Sequence, residues 1–153
     1  WDQSYFILRE FGGRSDRQPA LHPHLRMTVT LADPTPLDWA LLALDLMLAS
    51  RCGYSNDLSR AVNDRAMTHA DNAYFLENVR IVSHRLKTHT QSATAFRGFG
   101  GPQGMFAIES IIDSIARHLG LDSLEVRKRN FYRHPDRDVS HYGQHVEDFV
   151  LRK

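Results

Sequence analysis

The chain has a single cysteine, Cys52, so no internal disulfide can hold it together. A reducing compartment fits that usage, and the cytoplasm is the default expectation. Long apolar runs are missing too. The most hydrophobic stretch, Leu37 to Ser50, "LDWALLALDLMLAS", contains Asp38 and Asp45 and is too short to span a bilayer, so no membrane segment is expected. There is no large excess of charge. Nineteen Lys and Arg against 18 Asp and Glu leave a net charge of +1, which offers no strong field to attract nucleic acid or an anionic membrane. No Gly-x-Ser-x-Gly elbow appears and Cys52 has no neighbouring base in sequence, so hydrolase readings find no support. The first residue is Trp1, and the opening residues lack the basic-then-apolar order of a signal peptide; the expectation is a piece cut from something longer.

What is present suits about one globular domain: 153 residues, 42% hydrophobic and 24% charged. Four of the six prolines fall within residues 1–36 and break that stretch into short pieces. Within it "MTVTL", Met27 to Leu31, alternates like a short strand. Residues 41–49 fit two templates, because Leu42, Leu44, Leu46 and Leu48 alternate as in a strand while the Ala, Leu and Met content favours helix. "GYSN", Gly53 to Asn56, is turn chemistry, and Ser55 or Asp57 is a candidate cap for a helix over residues 58–70. That helix sets Leu58, Ala61, Val62, Arg65 and His69 on one stripe. After a turn at Glu77 and Asn78, "VRIVSHRLKTHT" alternates like a strand. Met105, Ile108, Ile111 or Ile112, Ile115 and Leu119 then form an apolar helical stripe that stops at Gly120. Asp122 with Glu125 has capping-box spacing and starts a basic helix, "LEVRKRN".

Three constellations carry chemistry. "FRGFGGPQG", Phe96 to Gly104, holds four of the nine glycines between an expected strand and an expected helix. Glycines allow backbone N–H groups to approach an anionic ligand, and a helix N-terminus favours negative charge. The loop is no dinucleotide fingerprint, since its glycines run G-x-G-G-x-x-G and Pro102 interrupts the helix start; it also lacks the G-K-[ST] ending of a phosphate-binding P-loop. A ligand loop and a tight structural turn both remain open. Arg65 is the second feature, because a guanidinium on an apolar stripe needs a partner or a polar cavity. The partner would be Asp57, Asp64 or Asp71; the alternative is an anion stabiliser in a pocket. Third, among the nine histidines His141 and His145 have helical metal-pair spacing but Gly143 between them argues against a helix, His22 with His24 and His84 with His89 lack the companions a closed zinc site needs, and no metal ligands are assigned.

The stretch "NDRAMTHADNAYFLENVRIVSHRLKTHTQSATAFRGFGGPQGMFAIE", with "LEVRKRNFY" and "HYGQHVED", resembles the molybdopterin-binding subunit of bacterial xanthine dehydrogenases. These belong to the xanthine oxidase and aldehyde oxidase family of molybdenum hydroxylases. The resemblance runs from about Ala43 to the end, and the loop is its most specific motif. It implies cofactor-binding roles for Phe96, Arg97, Gly98, Gly100 and Gly101, and substrate stacking for Phe99. It implies that Arg65 binds a purine oxygen and stabilises negative charge building on the ring, with Leu58 and Ala61 lining the same pocket. Aldehyde oxidases generally lack that arginine, so xanthine or hypoxanthine is the implied substrate. The implied reaction is hydroxylation at carbon, with electrons leaving through 2Fe-2S clusters and FAD, held on other subunits or domains, to NAD. The family's general-base glutamate lies outside this chain. Ala93 replaces the family's asparagine, which implies one loop hydrogen bond fewer.

The expected fold is an α+β fragment of the molybdenum-cofactor-binding domain, with short strands and two to three helices. Residues 1–40 form a divergent segment that does not match the family, and residues 41–153 a partial molybdopterin-binding domain. The implied partners are a purine substrate and an iron–sulfur/FAD subunit within an oligomer, with no nucleic acid and no membrane. Two alternatives are a truncated, non-catalytic remnant of that subunit and a phosphate-binding module using the glycine loop.

Overall fold

A computed structural model describes residues 27–31, 40–147 and 149–151, with backbone only for 27–31. Residues 1–40, expected as a divergent segment, lie outside the described residues apart from the "MTVTL" strand and residue 40. The elements in chain order are β1 (Met27–Leu31), β2 (Leu41–Gly53), α1 (Ser59–Thr68), β3 (Asn78–Lys87), α2 (Gly101–Leu119) and α3 (Ser123–Asn130). The fold is α+β. The three strands form one sheet in the order β1-β2-β3.

β2 is the central strand, and this decides its conformation. β1 pairs with it antiparallel, Met27 facing Leu46, and β3 pairs with it parallel, from Ala43 opposite Asn78 to Gly53 opposite Lys87. Hydrogen bonding along both edges outweighs the helical preference of its Leu and Ala residues. Leu44, Leu46, Leu48 and Ser50 are buried, while the residues between them are half-buried, the period of two expected of a strand. The parallel pairing requires a crossover, and α1 supplies it.

α1 and α2 pack on that buried face. Leu44, Leu46 and Leu48 meet Ala66 and Ala70 beside α1, and Ile108, Ile111, Ile112 and Ile115 on α2. Each fully buried Leu or Ile contributes roughly 1.5–3 kcal/mol, so this seam supplies the main drive to fold. Both Ile111 and Ile112 are inside, because α2 is covered by the sheet and α1 on one side and by Val126 of α3 on the other.

Polar anchors fix the outlying pieces. Asn130, at the end of α3, accepts the Leu41 N–H at 2.7 Å and so ties α3 to the start of β2. Glu109 on α2 accepts from Asn72 (2.8 Å), Tyr74 (2.6 Å) and Arg127 (3.0 Å), while the same arginine donates to Asp113 at 2.7 Å. Burial and the bond to Glu109 push the Tyr74 phenol above the ordinary tyrosine range. Buried Asp71 accepts from Tyr132 at 2.6 Å and faces His141 Nδ1 at 3.3 Å, which fastens the C-terminal tail beneath α1.

Two helix boundaries differ from expectation. α1 has neither Ser55 nor Asp57 as its cap: Leu58 holds that position with no side-chain cap bond. Ser55 is engaged elsewhere, its N–H donating to Ser92 Oγ at 3.2 Å, and Asp57 lies in left-handed backbone with φ of 37°. α2 begins at Gly101, ahead of the apolar stripe, because Pro102 is tolerated in a first turn where its missing N–H costs nothing. The capping of α3 follows expectation, with Asp122 Oδ1 accepting from Leu124 N (2.7 Å) and Glu125 N (3.3 Å).

Candidate functional site

The glycine loop meets α1 through absent side chains. A Cβ at Gly100 would lie 2.0 Å from the Val62 carbonyl oxygen, and one at Gly104 2.2 Å from that of Ala66. Only glycine allows this approach, and the four-residue spacing puts both contacts on the same face of the first turn of α2. At Gly98 a Cβ would press on the Pro102 ring at 2.5 Å. At these three positions the space left by glycine is therefore filled by protein. The two readings of the loop are not exclusive: its glycines set a close backbone crossing, and that crossing shapes what the loop presents outward.

The presentation is strained. Gly98, Phe99 and Gly100 have φ of 89°, 47° and 95°, three successive residues in left-handed backbone. For a bulky L-residue such as Phe99 that conformation costs roughly 1–2 kcal/mol. Phe99 N–H donates to the Phe96 carbonyl at 2.9 Å and Gly101 N–H to that of Gly98 at 3.0 Å, which closes the coil. Phe96 is left 73% exposed, Arg97 exposed and Phe99 half-buried. Strain of this kind clusters at ligand sites.

α1 sets the second half of the site, and the inward stripe expected of it is corrected here. Its buried face is Ser59, Val62, Asn63 and Ala66; Leu58, Ala61 and Arg65 face outward. Two short polar residues can line the core because each is satisfied there. Ser59 Oγ donates to the Ala93 carbonyl at 3.3 Å, Asn63 Nδ2 donates to the Ser59 carbonyl at 2.7 Å, and Ser50 Oγ donates to Asn63 Oδ1. Ala93 is thereby buried in the seam, its N–H donating to the Cys52 carbonyl at 2.9 Å.

Arg65 forms none of the salt bridges weighed from sequence. Asp64 pairs with Arg85 and Arg60, and Asp71 with Tyr132 and His141; among the described residues no carboxylate reaches Arg65. Its Nε–H donates instead to His69 Nε2 at 3.3 Å. A Cβ on Gly101 would lie 3.7 Å from the His69 ring and 3.9 Å from Arg65 Nε, so the loop passes this pair with room for a methyl group between them. Leu58, Ala61 and Arg65 follow one another at three and four residues along the same outward face. The structure thus brings Arg65 and Gly101 together and sets Phe96, Arg97 and Phe99 on the adjoining coil. His69 had no role in the sequence reading, although its spacing from Arg65 was the available signal.

These residues fit an anion-bearing pterin group. The N-terminus of α2 has no side-chain cap and no acidic residue in its first turn, and Arg97 projects from the same coil. Among the described residues no group of three or more His, Cys, Asp or Glu side chains could hold a metal ion directly.

Comparison with known proteins identifies the family. The family described as molybdopterin cofactor-binding domain matches residues 26–131. A xanthine dehydrogenase of Drosophila subobscura is 47% identical over 116 residues, which is 76% of this chain and 8% of that protein. A nicotinate hydroxylase of Emericella nidulans is 48% identical over 93 residues, 61% of this chain and 7% of that protein. The aldehyde oxidoreductase of Desulfovibrio gigas superposes with a TM-score of 0.65 and 34% identity, covering 73% of this chain and 12% of the other. The chain therefore spans less than a tenth of the length of these curated relatives.

Proposed function

Because the chain belongs to the molybdopterin cofactor-binding domain family of the molybdenum hydroxylases, we propose that it forms part of an active site that hydroxylates purines, hypoxanthine or xanthine, toward urate. Arg65 carries this reading: a guanidinium held by the His69 imidazole, with no carboxylate partner among the described residues, is suited to a substrate oxygen that gains negative charge during reaction. Phe99 presents its ring to a flat heterocycle, and Leu58 and Ala61 line the approach. Phe96, Arg97 and the backbone from Gly98 to Gly101 hold the cofactor side. When bound, the molybdenum–molybdopterin group supplies oxygen insertion at carbon and accepts the electrons. The residues of this chain orient the substrate and stabilise charge on it.

The family match begins at residue 26 and so takes in β1, which adds residues 26–40 to the stretch from 41 to 153 as the part of the chain in this role. The remaining machinery belongs to the rest of a cytoplasmic, oligomeric assembly: a general-base glutamate, and 2Fe-2S and FAD carriers that pass electrons to NAD. A second reading is favoured by the 48% identity to a nicotinate hydroxylase. There Arg65 would take a heteroaromatic carboxylate in place of a ring oxygen, as its planar fork equally permits. In the intact enzyme carrying this segment, Arg65→Ala should lower kcat/KM for xanthine by roughly 100-fold or more with the fold preserved. Unaltered xanthine turnover in that variant sinks the assignment, and turnover of nicotinate without xanthine favours the second reading.

A further inference from the structure

We infer that His69 is the positioning residue for Arg65, an inference that rests on the purine reading above. A guanidinium is a rigid planar fork of five N–H donors on a flexible stem. Fixing Nε fixes the plane, and with it the direction of the two terminal nitrogens. In this structure the Arg65 Nε–H donates to His69 Nε2 at 3.3 Å, a bond that requires the His69 proton on Nδ1. Nothing else among the described residues engages the fork, so its remaining donors face outward, ready for a ligand oxygen.

His69 is itself immobilised from two sides. Its backbone ends α1, where its N–H donates to the Arg65 carbonyl at 3.1 Å and its carbonyl accepts from Asn72 N at 3.3 Å. From across the crossing, Gly104 closes on the His69 backbone, where a Cβ would lie 3.0 Å from the carbonyl carbon, while Gly101 leaves room for a methyl group beside the imidazole. The close helix crossing thereby fixes the backbone that carries the imidazole, and the imidazole orients the arginine. This gives the glycines a part in substrate recognition through packing alone. A histidine suits the place because its ring is stiff and offers an acceptor without a charge, whereas a carboxylate there would neutralise the arginine it positions.

The test is a double-mutant cycle in the intact enzyme, read as kcat/KM for xanthine and as the dissociation constant of urate without turnover. His69→Leu removes the acceptor and should weaken both by about tenfold, as expected for losing a hydrogen bond to a charged group. His69→Gln keeps an acceptor oxygen at similar reach and should recover both to within about threefold of the parent enzyme. In an Arg65→Ala background, His69→Leu should add nothing. A further tenfold loss in that background means that His69 supports the fold, and it overturns the inference. Equal losses in His69→Gln and His69→Leu overturn it too, as does an unaffected His69→Leu when Arg65→Ala is impaired. If Arg65→Ala itself changes nothing, the purine reading fails, and that outcome is separable because it does not involve His69.

Discussion

Replacing Gly104 by alanine should separate two helices that now touch through backbone. The added Cβ would lie 2.2 Å from the Ala66 carbonyl oxygen, 3.0 Å from the His69 carbonyl carbon and 3.1 Å from the Ala66 carbonyl carbon. All three neighbours are main chain, so no side chain can swing aside. The first contact must open by about 0.8 Å to reach even 3.0 Å, and overpacking of this kind costs about 1–3 kcal/mol. Gly104 sits in ordinary helical backbone, so the penalty is purely steric. Gly120 is the converse control, with φ of 67° and nothing within 4 Å of a new Cβ. Gly120→Ala should therefore cost only the left-handed strain, about 1 kcal/mol. Gly100 combines both, with φ of 95° and a contact at 2.0 Å, so Gly100→Ala should cost about 2–5 kcal/mol. Urea titration of the 153-residue chain, followed by far-ultraviolet circular dichroism, gives all three values on one scale. If Gly104→Ala and Gly100→Ala lower the midpoint no more than Gly120→Ala does, the backbone crossing is wrong and the route from the loop to His69 fails with it.

Alkaline stability offers a second check. Tyr74 and Tyr132 both have phenols raised above the ordinary value, mainly by burial and then by bonds to Glu109 and Asp71. The unfolded chain loses those protons first, so stability should hold below about pH 10 and fall as pH rises above it, by about 1.4 kcal/mol per pH unit for each phenol. Tyr132→Phe should make that alkaline decline shallower by one proton while lowering stability at neutral pH, since Asp71 loses a donor; an unchanged slope in urea titrations from pH 9 to 11 counts against the assignment. At the start of α3, Asp122→Ala removes the acceptor for two N–H groups and should cost about 1 kcal/mol. An unchanged midpoint would remove Asp122 from the account.

The end of α2 and the start of α3 were legible in the sequence, and so was the apolar face of α2. Gly120 and Asp122 work locally, by left-handed backbone and by side-chain capping, so the sequence alone located both. The conformation of β2 needed its neighbours: a Leu- and Ala-rich segment becomes a strand once β1 and β3 bond to its two edges. The face of α1 was misread because apolarity was taken as the only sign of burial. Ser59 and Asn63 go inside on the strength of hydrogen bonds to Ala93, Ser50 and their own helix, which hydrophobic periodicity does not register. Turning the helix outward by that much is what places Leu58, Ala61 and Arg65 together on an open face. The glycine cluster was conspicuous in sequence, but its contact with the Val62 and Ala66 carbonyls is a tertiary fact, as is the position of Gly101 beside the Arg65–His69 pair.

The most direct measurement is an experimental structure of the intact enzyme with a purine bound. It should place a purine oxygen within hydrogen-bond distance, about 2.7–3.2 Å, of the terminal nitrogens of Arg65, with His69 still accepting from Nε and the Phe99 ring against the heterocycle. A purine bound elsewhere, or Arg65 turned away into a carboxylate, contradicts the account.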